Sequence, residues 1–152
     1  MNKETYDNIC KGRSCPSFEN MELQFSVSAI TAEESSLKAI AKKMHECIKD
    51  WGDRLESVIN PESASFANLM ESEHLEDNDK KEAILLYKKL CFYSRKHDSL
   101  ELEYSDEKAA SFINEFFGEW IESKSKLLAL VEKFMNFWKL ETKKDDKEGY
   151  FG

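Results

Sequence analysis

Glycine and proline are scarce in this chain, five and two among 152 residues. That scarcity disfavours a sandwich with a tight turn every eight to twelve residues or so and leaves long uninterrupted helices open. No stretch approaches the roughly 18 consecutive apolar residues of a membrane span, and the N-terminal region lacks a basic start followed by an apolar run. The expectation is a cytoplasmic protein without a membrane segment. Surplus positive charge is lacking too: 22 Lys and Arg against 30 Asp and Glu leave a net charge of -8, which argues against a general binder of nucleic acid or anionic membranes. There is no Gly-rich phosphate loop, no His-Glu-x-x-His and no Gly-x-Ser-x-Gly elbow. Low hydropathy does not make the chain a disordered one, because hydrophobic residues form 41% of it and aromatics 12%, enough for one buried core.

What is present is helical periodicity. Leu37, Ala41, Met44, Ile48, Trp51, Leu55 and Val58 follow one another at steps of four and three, which places them in one stripe of an α-helix. Thr31 and Glu34 have capping-box spacing, so this helix is expected over residues 32–59, ended by Asn60 and Pro61. Asn60 and Pro61 also suit the start of a short second helix with Phe66, Leu69 and Met70 on one face. Asp79 and Glu82 are expected to cap a third helix reaching Lys96, with Ala83, Leu86, Tyr87, Leu90, Tyr93 and His97 on one side. Ser105, followed by Asp106 and Glu107, suits the start of a last helix. On that helix Ala109, Ile113, Phe116, Phe117, Trp120, Leu127, Leu128, Val131, Phe134, Met135 and Trp138 share a broad apolar sector. Lys124 is the one polar residue centred in it.

Two segments read instead with period two: Met21, Leu23, Phe25 and Val27, and Leu100, Leu102 and Tyr104. They could pair as strands. The expected fold is mainly α, an antiparallel helical bundle of three to four helices, with a minor two-stranded β ribbon as an optional addition. Residues 1–20 read as an irregular N-terminal arm, 21–140 as a single helical domain and 141–152 as a flexible charged tail.

The charges are segregated along the chain. Glu62, Glu71, Glu73, Glu76, Asp77 and Asp79 have no Lys or Arg among them. The acidic surface expected from Glu71, Glu73, Glu76, Asp77 and Asp79 suits a basic partner or a hard cation, or simple solvation of a connector; it lacks the EF-hand pattern. Immediately after come Lys80, Lys81, Lys88, Lys89, Arg95 and Lys96. Lys81, Lys88 and Arg95 stand seven apart and form a ridge beside Leu85 and Phe92. The lysines either serve an anionic partner or pair with residues 71–79 of the same chain.

Metal-ligating patterns are thin. Glu71 and His74 form one Glu-x-x-His where a carboxylate-bridged di-metal bundle needs two, and neither His45 nor His97 supplies the second. Cys10 and Cys15 have the spacing of half a zinc site; together with Cys47 and Cys91 they are expected as thiols. No cofactor and no metal are assigned.

The resulting expectation is a non-enzymatic protein-interaction or regulatory module, self-associating or part of a complex. Its positive support is a surplus of large apolar residues off the centre of the last helix's stripe, namely Phe112, Leu130, Phe137 and Leu140. The first alternative is an accessory subunit of a nucleic-acid complex using the basic face of residues 80–96, with Lys81, Lys88, Lys89, Phe92, Arg95 and Lys96. The second is a metal-dependent enzyme.

Overall fold

The computed structural model describes residues 1–61 and 65–139. Glu62, Leu140 and the charged segment 141–152 lie outside that range. Among the described residues the chain forms six α-helices and no strand: α1 (Lys3–Cys10), α2 (Phe18–Phe25), α3 (Leu37–Ile59), α4 (Phe66–His74), α5 (Asp77–Leu102) and α6 (Asp106–Trp138), with a single 3₁₀ turn at Val27–Ala29. None of these helices is long and apolar enough to cross a membrane.

The three long helices make an antiparallel bundle. Contacts of His45 with Ser94 and of Lys38 with Tyr104 run α3 against α5 in opposite directions. Ion pairs from Lys96 to Glu115, Glu82 to Lys126 and Asp79 to Lys133 do the same for α5 and α6. The expected stripe of α3 is buried at Leu37, Ala41, Met44, Ile48, Leu55 and Val58. From α5 the core receives Ala83, Leu86, Leu90, His97 and Leu100. Buried side chains of α1, α2, α3, α5 and α6, with Leu75 just after α4, join in one cluster.

Several boundaries differ from the sequence expectation. Thr31 and Glu34 do hydrogen-bond through their side chains, at 3.2 Å, but they close a turn. Ser36 is the true cap, accepting from the Ala39 amide at 3.1 Å, because the apolar stripe begins only at Leu37 and a longer helix would bury nothing more. Ser65, not Asn60, caps α4, and Phe66 points to solvent while Ser72 and Leu75 face inward. Helix α5 begins earlier, at Asp77. Asp79 is its third residue, and its carboxylate accepts from the Glu76 amide at 3.3 Å.

The ribbon is replaced by helix. Met21 and Phe25 are four apart and both buried, while Leu23 between them is exposed; Ser17 caps this turn at the Asn20 amide. Its proposed partner, residues 100–104, belongs mostly to the end of α5, where Leu100 is buried and Leu102 exposed. With no second strand, an extended segment would leave its amides unpaired, whereas a helix satisfies them locally.

The N-terminal arm is likewise not irregular. Asn2 caps α1 through the Thr5 amide at 2.8 Å, and Tyr6 and Cys10, one turn apart, are buried. The Tyr6 hydroxyl donates to the Pro16 carbonyl at 2.7 Å and its ring meets Phe18 edge-on. Helix α2 then lays Phe25 against Phe116, Phe117 and Trp120 of α6.

The last helix starts where expected, with the Ser105 hydroxyl accepting from the Lys108 amide at 3.1 Å. Its buried face is rotated toward α5 relative to the expected sector. Phe112 and Leu130, expected as surplus, are in the core, whereas Leu128 and Met135 are exposed.

Candidate functional site

Helix α5 presents its outer face through side chains two turns apart. Positions 81, 88 and 95 share one azimuth, and 85 and 92 lie beside them. Leu85 is 54% exposed and Phe92 58% exposed. Lys81 and Lys88 are exposed and make no ion pair among the described residues. Arg95 pairs with Asp98 at 2.7 Å but remains 85% exposed in its side chain.

The other two cations of the expected basic surface are committed internally. Lys89 is bound by Glu119, with Glu122 at 3.9 Å, and Lys96 by Glu115. Lys96 also lies 5.6 Å from the centre of the Phe92 ring and 5.8 Å from that of Tyr93, close enough for cation–π attraction. The outer face is therefore an apolar line with Lys81, Lys88 and the exposed Arg95 on one edge, the two lysines without an ion pair among the described residues, and neutralised pairs with α6 on the other.

The acidic residues do not form a matching patch. Glu71 accepts from the Trp138 indole at 2.7 Å, and Asp79 is held by Lys133, which keeps its carboxyl below the ordinary value. Glu73, Glu76 and Asp77 are exposed. No ion pair joins residues 71–79 to the lysines of α5 among the described residues; the partner of Asp79 comes from α6 instead. Among the described residues the Glu71–His74 pair acquires no further ligand, and the His74 ring rests on Phe137 with centroids 4.7 Å apart.

A histidine pair lies between α3 and α5. The rings of His45 and His97 stack with centroids 4.1 Å apart and planes 10° from parallel. His97 is 3% exposed, and its Nδ1 is buried without a hydrogen-bond partner. His45 is half-buried, with Nε2 3.0 Å from the Ser94 hydroxyl. Burial holds both imidazoles below their ordinary pKa, and for His97 the neighbouring His45 adds to this. With Asp98 the two rings form a cluster whose ligating atoms all lie within 4.8 Å of one another, the one such cluster of three among the described residues.

The sequence could not reveal this cluster. His45 flanks the stripe of α3 and His97 closes that of α5, 52 positions later, and only the antiparallel register sets them face to face.

Cys10 and Cys15 are also brought together. Arg13 donates its amide to the Cys10 carbonyl at 2.9 Å, and Cys15 to the Arg13 carbonyl at 2.8 Å, turning the chain back on itself. A hydrogen bond from the Cys15 thiol lowers the Cys10 pKa to about 7 and raises that of Cys15. All four cysteines are free thiols; burial pushes Cys47 up to about 11. No histidine, carboxylate or third cysteine joins this pair as a metal site among the described residues.

Compared with known proteins, the chain matches no family model, no curated protein and no solved structure at a significant level.

Proposed function

We propose that this protein is a non-enzymatic interaction module that docks an acidic, amphipathic segment of another protein on the outer face of α5. The observation that carries this reading is the pair Leu85 and Phe92, each more than half exposed, lined up with Lys81, Lys88 and Arg95 at the same seven-residue spacing. Single exposed apolar residues are ordinary; two in register beside Lys81 and Lys88, which make no ion pair among the described residues, and the exposed Arg95 make a surface with both a hydrophobic and an electrostatic component.

Charge chooses among the occupants. In a two-fold antiparallel pairing of α5 with its own copy, Leu85 would meet Phe92, but Lys88 near the axis would meet Lys88, so self-association through this face is opposed. Nucleic acid is less suited, because Glu115, Glu119 and Glu122 flank the apolar line and already hold Lys89 and Lys96. A phosphate backbone would meet that carboxylate row. A helix with acids on one edge fits both edges.

The test is zero-length carboxyl-to-amine cross-linking in native extract, comparing the wild type with Leu85→Glu/Phe92→Glu. The expected result is Lys81 or Lys88 joined to Asp or Glu of a second protein, with the adduct lost in the variant and at high salt. Adducts that persist unchanged in the variant, that join only copies of this chain, or that give way to salt-sensitive nucleic-acid binding would overturn it.

A further inference from the structure

We propose that His45, His97 and Asp98 form a binding site for one borderline divalent transition-metal ion of the Zn²⁺ class. Two imidazoles and a carboxylate are the donor set such ions prefer over Ca²⁺ or Mg²⁺, which take oxygen. Three facts about the fold carry the inference.

First, the ligating atoms come from two helices of the main bundle and already lie within 4.8 Å of one another. An ion about 2.0–2.2 Å from each donor draws them to a mutual spacing of about 3.3 Å. The contraction needed is within the reach of side-chain rotation.

Second, His97 has a ring nitrogen sealed from water with no hydrogen-bond partner. Buried polar atoms are seldom left in this state, and a ring nitrogen with no hydrogen-bond partner among the described residues is an open ligand position.

Third, one side of the cluster is open. His45 is half-buried and the Asp98 side chain is 40% exposed, so an ion enters from solvent and keeps water on its remaining positions, as three-ligand sites do.

The stack dictates how binding proceeds. A metal lies in the plane of each imidazole it binds, so two nearly parallel rings cannot both aim at one ion. One must turn, and His45 has the room. In turning it leaves the Ser94 hydroxyl, while Asp98 exchanges Arg95, an exposed partner, for the ion. His97, locked against Phe112 with ring centroids 5.6 Å apart, stays in place.

The test uses the full chain without a histidine tag, stripped with chelator, and titrated with Zn²⁺ by calorimetry and with Co²⁺ by visible absorption. The expected result is one ion per chain, a cobalt spectrum of nitrogen and oxygen ligands, and affinity reduced roughly tenfold or more by His45→Asn and by Asp98→Asn. Both positions are partly exposed, so folding of these variants is checked by circular dichroism. Cys10→Ser/Cys15→Ser and Glu71→Gln/His74→Asn should leave affinity unchanged. Three outcomes each overturn the proposal: no saturable binding by the folded wild type, affinity unaltered by His45→Asn and Asp98→Asn, or a thiolate-to-cobalt charge-transfer band.

Discussion

Gln24 and Lys124, one hundred residues apart in sequence, are joined by a hydrogen bond of 2.9 Å from the ammonium to the side-chain carbonyl, and the same oxygen accepts from the Trp120 indole at 3.2 Å. One acceptor on α2 therefore satisfies the lysine that interrupts the apolar stripe of α6 and the N–H of a buried tryptophan. Gln24→Leu should destabilise the fold by about 1–3 kcal/mol, because a buried donor is left unpaired. Lys124→Met, which removes a donor and keeps the stem, should cost under about 1 kcal/mol. Urea denaturation of the two variants reads the difference; equal costs would show that the oxygen is not the shared acceptor.

The rotation of the buried face of α6 is testable with two truncations. Phe112 is buried against Tyr93, His97 and Phe116, whereas Leu128 is exposed. Phe112→Ala should cost about 3–5 kcal/mol, and Leu128→Ala about 0.5 kcal/mol or less. The reverse order in thermal or urea unfolding would restore the symmetric sector expected from sequence.

Cap positions should respond as the structure has them. Ser36→Ala removes the acceptor for the Ala39 amide and is expected to cost about 1 kcal/mol. Thr31→Ala loses only an exposed side-chain contact with Glu34 and should be nearly neutral. A larger loss at Thr31 than at Ser36 would place the start of α3 near residue 32.

Thiolate absorbance should show an early ionisation belonging to Cys10, with a midpoint near its pKa of about 7. The cause is the hydrogen bond from the Cys15 thiol, which favours the charged form of Cys10. The sign follows: Cys15→Ala removes the donor, so the Cys10 midpoint should move up, and Cys10→Ala should abolish the early step. A titration unchanged by either substitution would mean the two thiols do not interact.

Much of the helical architecture was legible from residue spacing, because a stripe at steps of three and four leaves a helix only one side on which to bury it. That reasoning located α3, α5 and α6 and the Ser105 cap. It failed where the local signal was short. In residues 18–25 a period-two pattern and a Met21–Phe25 helical pair coexist, and in α1 only Tyr6 and Cys10 reach the core. Segments this short take their conformation from the surface they are pressed against.

By itself the amino-acid sequence determined a mainly helical chain, the inward stripes of its long helices, and the charges and apolar residues carried by the outer face of α5. Tertiary structure alone decided which of those charges are spent, tying Lys89 and Lys96 to α6 while leaving Lys81 and Lys88 unpaired among the described residues. It alone set His45 against His97 and put Gln24 under Lys124. The physical reason is that periodicity specifies a direction around one helix axis, whereas ion pairs, stacked rings and ligand clusters depend on the register between two helices, which is settled only when their side chains interlock.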